Sequence, residues 1–156
     1  MTDDHNKEAV PWFELPKVEM HSHLEGAIPH DALWELTQKY GGDSSLPNLQ
    51  ALRDKFKYRD FPHFIETRVW KNQFLREYED FTFISEAVAR DLANQNVLYA
   101  EATFAPSDFS RHGLETQKPA EAIRAGLLKV SLVEVALITD LVRDRGVASF
   151  AGQIRR

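Results

Sequence analysis

Apolar residues recur with two different periods along the chain, and each period predicts one kind of element. Residues 17–23 alternate between polar and apolar side chains, which is typical of a half-buried β-strand. Residues 97–104 are rich in strand-forming side chains and stop before Pro106, and residues 132–141 are almost wholly apolar. These patterns predict three strands, the third in a sheet that is covered on both faces.

Between the predicted strands, the apolar spacing lengthens to that of helices. The first predicted helix follows Pro29 and ends at Gly41 and Gly42. Apolar positions predict two more helices around residues 61–69 and 81–92, and a further one begins at Pro119. Residues 44–60 and 107–118 are interpreted as irregular, residues 1–15 as a flexible leader, and residues 146–156 as the start of another helix.

The order of these elements predicts a parallel α/β fold, because parallel neighbours need helical crossovers. A length of 156 residues suits one domain. A parallel sheet of only three strands nevertheless leaves two open edges, which is a poor solution for a free-standing domain. We therefore interpret residues 1–156 as a single, partial domain, the opening of a larger α/β structure.

The amino-acid composition excludes several classes of functional site and partner. The sequence has no Cys, which excludes disulfides, a thiol nucleophile, iron–sulfur clusters, Cys-type zinc fingers and the deaminases that hold zinc through Cys-x-x-Cys. A net charge of -5 without a basic run argues against nucleic acid and anionic membranes as partners. No apolar run would span a bilayer, and the first residues are acidic and polar, unlike a signal peptide, so the sequence predicts a cytoplasmic protein.

His21 and His23 are the strongest candidates for chemistry. Residues two apart on a strand point to the same face, so the two imidazoles lie side by side at the carboxyl end of the first strand. Active sites of α/β sheets and barrels are built at that end. Two neutral imidazoles aimed at one point form half of a zinc site, and the alternative is a pair of ordinary surface or core histidines.

The sequence around this pair resembles a known family. Residues 15–27, Leu-Pro-Lys-Val-Glu-Met-His-Ser-His-Leu-Glu-Gly-Ala, resemble the opening of the adenosine deaminase family of amidohydrolases. Residues 96–106 resemble the second strand of that family, and residues 135–143 resemble its third. The resemblance runs from about residue 15 to the end of the chain.

This resemblance implies a (β/α)₈ TIM barrel, of which the chain holds the amino-terminal part, about three strands of eight. It implies that His21 and His23 are the first two ligands of one Zn²⁺, although two ligands do not distinguish zinc from another divalent ion. A third His, an Asp ligand, a His-x-x-Glu proton donor and a second catalytic His are expected beyond Arg156, and no His follows His112. The chain alone therefore holds no catalytic residue and is expected to be inactive.

For the complete protein, the resemblance implies hydrolytic deamination of an aminopurine or purine nucleoside, with release of ammonia. Glu25 stands where the best-known adenosine deaminases have an Asp that contacts the ribose hydroxyl. Glu at this place resembles the branches that act on adenine or on aminofutalosine-type nucleosides. Glu25 is accordingly predicted to contact a small-molecule purine substrate. Phe61 and Ile65 match positions that form a hydrophobic lip over the substrate, the alternative being a helix face packed on the barrel.

The remaining polar residues of the strands are predicted to be structural. Lys17 and Glu19 share the inward face with the histidines, so Glu19 is expected to pair with Lys17 or another inward donor. Glu101 is expected to play the same role on the second strand. Asp140 and Arg143 are assigned to polar packing of the barrel, and we assign Phe64 to the core and no role to His63.

Two other functions stay open at this point. Metal-dependent phosphoesterases with a related barrel use similar His-x-His strands, but they usually carry Asp before the first His. A non-catalytic remnant that acts as a binding module is the second alternative. The sequence leaves the oligomeric state open.

Overall fold

The computed structural model describes residues 11–115, 117–140 and 142 of the chain, and in this range the elements alternate between strands and helices. The leader prediction covers residues 1–15, of which residues 1–10 lie outside the described residues, and the helix prediction for residues 146–156 lies outside them as well. The elements are, in order, β1 (Lys17–His23), α1 (His30–Lys39), α2 (Leu49–Lys55), α3 (Phe61–Asn72), α4 (Tyr78–Asn94), β2 (Val97–Phe104), a 3₁₀ helix (Pro106–His112), α5 (Lys118–Leu127) and β3 (Glu134–Thr139).

The three strands form one parallel sheet in the order β1-β2-β3. The alternation of residues 17–23 and the strand-forming residues 97–104 predicted β1 and β2 with their observed bounds. β3 is shorter than the apolar run because Leu132 and Val133 precede it in a turn. The pairing of β1 with β2 is irregular between Glu19 and Ser22, where β1 advances by three residues and β2 by two. Such a bulge bends a strand and changes the direction of its side chains.

Residues 44–60 are less irregular than the sequence predicts, because α2 lies within them. Asn48 begins this helix, and its side-chain oxygen accepts a hydrogen bond from the backbone amide of Ala51 at 2.9 Å. An Asn cap of this kind satisfies one of the amides that a helix leaves without a partner. The short helix lacks a long apolar stripe, so the periodicity did not reveal it.

Aromatic packing closes the core between the sheet and the helices that follow α3. Phe81 of α4 meets Phe104 of β2 and Phe109 of the 3₁₀ helix edge to face, with ring centroids 5.9 Å and 5.0 Å apart. All three side chains are at most 1% exposed. Gly126 lets α5 approach α4 closely, because a Cβ at this position would lie 2.2 Å from the Ser85 hydroxyl oxygen. Phe104 is the last residue of β2, so this packing lies at the end of the strand where the candidate site begins.

α3 reverses the usual arrangement of a surface helix. Its buried residues are Thr67, Lys71 and Asn72, whereas Phe61, Phe64, Ile65 and Val69 are exposed. The prediction that Phe64 is a core residue is therefore wrong. The apolar stripe of α3 faces away from the core, so its periodicity identified a helix but not the face that the helix buries.

Asp80 links the start of α4 to the end of α1 through hydrogen bonds. Its carboxylate accepts hydrogen bonds from Lys39 Nζ at 2.6 Å, from the Tyr40 hydroxyl at 2.5 Å and from the backbone amides of Arg76 and Glu77. Burial by itself raises the pKa of Asp80, but these hydrogen bonds outweigh burial and hold the pKa below its ordinary value. A carboxylate with a lowered pKa stabilises the fold at neutral pH.

We expect Asp80→Asn to lower the free energy of unfolding by about 1.5–3 kcal/mol at pH 7, because charged hydrogen bonds are lost from a buried group. The lowered pKa also means that the Asp80 contribution is complete above pH 3.8 and disappears as pH falls further through the folded-state pKa. Denaturant unfolding at pH 7 and below pH 3.8 measures both effects. Asp54→Asn, on an exposed carboxylate, is the control; equal losses in the two variants would contradict the role of Asp80.

Candidate active site

A cavity of about 830 Å³ opens at the carboxyl end of the sheet. The ends of β1 and the loop after it form one wall, α3 forms another, and the residues after β3 complete it. Charged and imidazole side chains on its lining are His21, His23, Glu25, Arg68, Lys71 and Asp140, and apolar and aromatic ones are Ala27, Phe56, Tyr58, Phe64, Ile65 and Val142. The volume falls in the range that is typical of small-molecule sites.

His21 and His23 lie side by side on this lining, as the strand alternation predicts. Their ring centroids are 5.6 Å apart, the rings are inclined by 56°, and both residues are exposed to the cavity. The bulge in β1 removes His21 from regular pairing with β2. The Glu19 carboxylate accepts a hydrogen bond from the backbone amide of His21 at 3.1 Å. Both imidazoles thus line one cavity, and the backbone amide of His21 keeps a hydrogen-bond acceptor outside the sheet pairing.

The sequence predicts that Glu19 pairs with Lys17 or another inward donor, and among the described residues its donor is the backbone amide of His21 rather than Lys17. Lys17 Nζ donates instead to the backbone carbonyls of Phe13, Leu15 and Gln95 at 2.8–3.0 Å. Three carbonyl acceptors satisfy the three ammonium hydrogens, so Lys17 ties residues 13–15 to the end of α4. Glu101 accepts a hydrogen bond from the Tyr99 hydroxyl at 3.2 Å, two residues along the same face of β2.

Glu25 occupies the floor of the cavity. It follows β1 in a turn and is 3% exposed, and one carboxylate oxygen accepts the backbone amide of Ala105 at 3.5 Å. Burial raises the pKa of the Glu25 carboxyl, and its own backbone amide and the charge of Lys71 oppose this shift only in part. A carboxyl group held in this way can accept or donate a hydrogen bond to a polar ligand atom.

Lys71 is the buried cation that faces Glu25, and the sequence did not single it out. It is 5% exposed, and its ammonium donates to the backbone carbonyl of Glu25. Burial lowers the pKa of Lys71 to about 8, against the opposing attraction of Glu25. Lysines are rarely buried unless they are paired. Lys71 therefore holds the turn that carries Glu25.

Arg68 adds a second cation on the same face of α3. It donates to the Asp108 carboxylate at 2.5 Å, which joins α3 to the 3₁₀ helix after β2. The spacing of Phe64, Arg68 and Lys71 places all three on one side of the helix and on the cavity lining. That spacing was the available signal, and the more conspicuous apolar stripe obscured it.

The structure brings Ile65 to the cavity but leaves Phe61 outside it. Ile65 is 37% exposed and lines the cavity, whereas Phe61 is 72% exposed and contacts Phe64 with ring centroids 6.0 Å apart. Phe64 and Tyr58 form the aromatic rim instead, packed edge to face at 5.2 Å. These rings give a planar ligand an apolar surface next to the histidines.

Asp140 also lines the cavity, although the sequence assigned it to barrel packing. It directly follows β3, and its backbone amide donates to the Phe104 carbonyl at 2.8 Å, which extends the pairing with β2. Arg143, assigned to the same packing, lies outside the described residues. Parallel pairing brings the ends of β1, β2 and β3 to one edge, and Asp140 joins the site for that reason.

The donor set fits part of a zinc site. Neutral imidazoles are common zinc ligands, and a catalytic zinc takes about three protein ligands. Within residues 11–115, 117–140 and 142, no group of three or more His, Asp or Glu side chains is arranged to hold a metal ion. His21 and His23 therefore supply two donors, and a complete site needs others.

Comparisons with known proteins identify the family. A family model described as adenosine deaminase matches residues 16–150, which is most of the chain. The chain belongs to the adenosine deaminase family. The predicted fold is confirmed as well: three parallel strands with helical crossovers form the amino-terminal part of a TIM barrel.

Curated relatives carry two different names. The chain is 37% identical over 110 residues to aminodeoxyfutalosine deaminase of Streptomyces avermitilis, and 33% identical over 113 residues to adenine deaminase of Bordetella avium. These matches cover 70% and 72% of this chain but 30% and 36% of the relatives. The chain thus spans about a third of the length of these relatives.

Solved structures show the same partial coverage. An amidohydrolase from Burkholderia ambifaria, crystallised with bound Zn, superposes with a TM-score of 0.72 at 26% identity, covering 88% of this chain and 39% of that protein. Adenine deaminase from Arthrobacter aurescens superposes with a TM-score of 0.69 at 22% identity, covering 83% of this chain and 42% of that protein. The second likeness supports the fold alone.

In the described part of this chain, no helix is long and apolar enough to cross a membrane.

The lowered pKa of Lys71 predicts a specific pH dependence of stability. Between pH 8 and 10.5 the unfolded chain binds a proton at Lys71 that the folded chain has released, so the free energy of unfolding rises with pH in this window. The rise is on the order of 3 kcal/mol. We expect Lys71→Met to abolish it. Lys129→Met, on an exposed lysine, is the matched control and should retain the rise; the same slope in both variants would contradict a buried, proton-releasing Lys71.

Proposed function

We propose that this chain is part of a metal-dependent hydrolase that deaminates an aminopurine or purine nucleoside. The observation that carries the proposal is the pair His21 and His23, side by side on a cavity whose floor is Glu25 and whose rim is aromatic. Membership of the adenosine deaminase family and the zinc bound by the Burkholderia amidohydrolase support it. The phosphoesterase alternative is not favoured, because the matching family model and the relatives named above are deaminases.

His21 and His23 would hold the metal, which supplies Lewis-acid activation of water for attack on the carbon that bears the amine. The described residues have other tasks in this reaction. Phe64, Tyr58 and Ile65 would exclude water and position the flat ring system. Glu25 would hydrogen-bond a polar atom of the substrate at the cavity floor. The proton donor and the remaining metal ligands would come from residues other than those described.

The substrate that we propose is adenine or an aminodeoxyfutalosine-type nucleoside rather than adenosine. Glu25 has one more methylene than the Asp expected in adenosine deaminases, which would place its carboxyl group differently relative to a bound substrate. The relatives from Streptomyces and Bordetella bear the names of these two activities. A cytoplasmic location and the absence of a nucleic-acid partner remain predictions from the sequence.

The test begins by sequencing the source locus past the codon for Arg156 and producing both the 156-residue chain and the product of the whole reading frame. Ammonia release is then measured with adenine, adenosine and aminodeoxyfutalosine, and bound metal is measured by elemental analysis. We expect the 156-residue chain to be inactive, because His21 and His23 are only part of a metal site. Ammonia release by the 156-residue chain alone would contradict the assignment of the catalytic groups to other residues.

We expect the product of a longer frame to bind zinc and to release ammonia from adenine or aminodeoxyfutalosine. His21→Ala and His23→Ala should each lower activity more than about 100-fold, beyond the loss typical of an outer-shell partner. His63→Ala is the matched control, because His63 lies on α3 outside the cavity lining and hydrogen-bonds the backbone of Arg59. A longer product that binds no divalent metal, or that hydrolyses phosphoesters instead, would refute the proposal.

A further inference from the structure

The ring of His23 has a side-chain partner on the neighbouring strand. His23 and Thr103 face each other in the register of β1 and β2. The Thr103 hydroxyl oxygen lies 2.9 Å from Nδ1 of His23 and 3.2 Å from the backbone carbonyl oxygen of Ser22. Both distances are within hydrogen-bond range, so one hydroxyl bridges the imidazole and the backbone that carries it.

Counting hydrogens decides the direction of these two bonds. A hydroxyl has one hydrogen to donate, and a backbone carbonyl only accepts. The arrangement that satisfies both contacts has the Thr103 hydroxyl donating to the Ser22 carbonyl and accepting the Nδ1–H of His23. The opposite arrangement, with the hydroxyl donating to Nδ1, leaves the contact to Ser22 without a hydrogen. The geometry thus favours the tautomer of His23 that carries its proton on Nδ1.

This tautomer leaves the lone pair of Nε2 directed away from β2 and free to bind a metal. Histidines that bind metals usually donate their other ring N–H to a partner, which fixes both the tautomer and the ring orientation. Thr103 supplies that partner from a rigid strand, and its β-branched side chain has few rotamers. Thr103 is itself half-buried, whereas the His23 ring is exposed to the cavity.

His21 provides an internal contrast. Its backbone amide donates to Glu19, but no side chain in the described part of the chain hydrogen-bonds its ring. Its nearest aromatic neighbour is His23, at a centroid distance of 5.6 Å. The two histidines of the motif are therefore held differently: the His23 ring by a hydroxyl, and His21 through its backbone.

We propose that Thr103 is a positioning residue that fixes the tautomer and orientation of His23, so that Nε2 is presented to the metal. This inference rests on the proposed function for its metal, but the tautomer itself is a property of the metal-free chain. Thr103→Val removes the hydroxyl and keeps the shape, and Thr103→Ser keeps the hydroxyl. Val also has a high preference for strands, so we expect the variant to fold.

The first measurement is the tautomer of each ring in the metal-free full chain, by ¹H–¹⁵N correlation of labelled imidazoles at a pH above about 8, where free imidazole is neutral. We expect His23 to carry its proton on Nδ1 and His21 to show a mixture of tautomers. In Thr103→Val, His23 should shift to a mixture like that of His21, and Thr103→Ser should restore the Nδ1–H form. An unchanged His23 spectrum in Thr103→Val would overturn the inference.

The second measurement is the Zn²⁺ affinity of the product of the whole reading frame, by competition with a chelator, because His21 and His23 supply only part of a metal site. We expect Thr103→Val to bind about 10–100-fold more weakly and Thr103→Ser to bind about as well as the unmodified chain. Thr82→Val is the matched control, because the Thr82 hydroxyl lies within hydrogen-bond distance of the backbone carbonyls of Tyr78 and Ala122, outside the cavity lining. Weakening by Thr82→Val as large as that by Thr103→Val would overturn the specific role.

The two measurements separate the inference from the function on which it rests. If the unmodified chain and the product of its whole reading frame bind no Zn²⁺ while the tautomer of His23 still depends on the Thr103 hydroxyl, the metal proposal fails and the positioning of His23 is supported. If Zn²⁺ binds equally well with and without the hydroxyl, the metal proposal stands and the role of Thr103 fails.

Discussion

The parallel pairing of β1 with β2 is the constraint on which the rest of the site depends. Parallel strands bring their carboxyl ends to one edge, so the ends of β1 and β2 and the residue after β3 meet there. The pairing is regular at His23 and Thr103 but irregular between Glu19 and Ser22. The regular part aligns a hydroxyl with one imidazole, and the irregular part frees the backbone of the other for Glu19.

A second layer of the site comes from α3, which buries polar residues and exposes apolar ones. This reversal has a physical reason in the cavity. Lys71 is satisfied by the backbone carbonyl of Glu25, and Arg68 by Asp108, so the helix can face the polar end of the sheet. Phe64 and Ile65 then line one side of the cavity instead of packing into the core. There they form an apolar surface that a planar ligand could contact.

The buried ionisable residues Lys71, Glu25 and Asp80 affect the stability of the fold through their pKa values. Desolvation lowers the pKa of Lys71 and raises that of Glu25, so burial at the floor of the cavity disfavours the charged form of each group. Asp80 acts in the opposite direction at the start of α4, where four hydrogen bonds hold a buried carboxylate in its charged form. Asp80 therefore stabilises the fold at neutral pH from outside the cavity lining.

The sequence by itself determined the strands, most of the helices, the family and the histidine pair, because these depend on local spacing. Alternation on β1 is enough to place His21 and His23 on one face, and the motif around them is specific. Only the tertiary structure decided that Lys71 lies beneath Glu25, that Phe64 rather than Phe61 lines the cavity, and that Thr103 contacts His23. Each of these contacts joins residues from different elements, and a strand bulge or the rotation of a helix sets them. Neither leaves a periodic signal in the sequence, so they followed only from the packed structure.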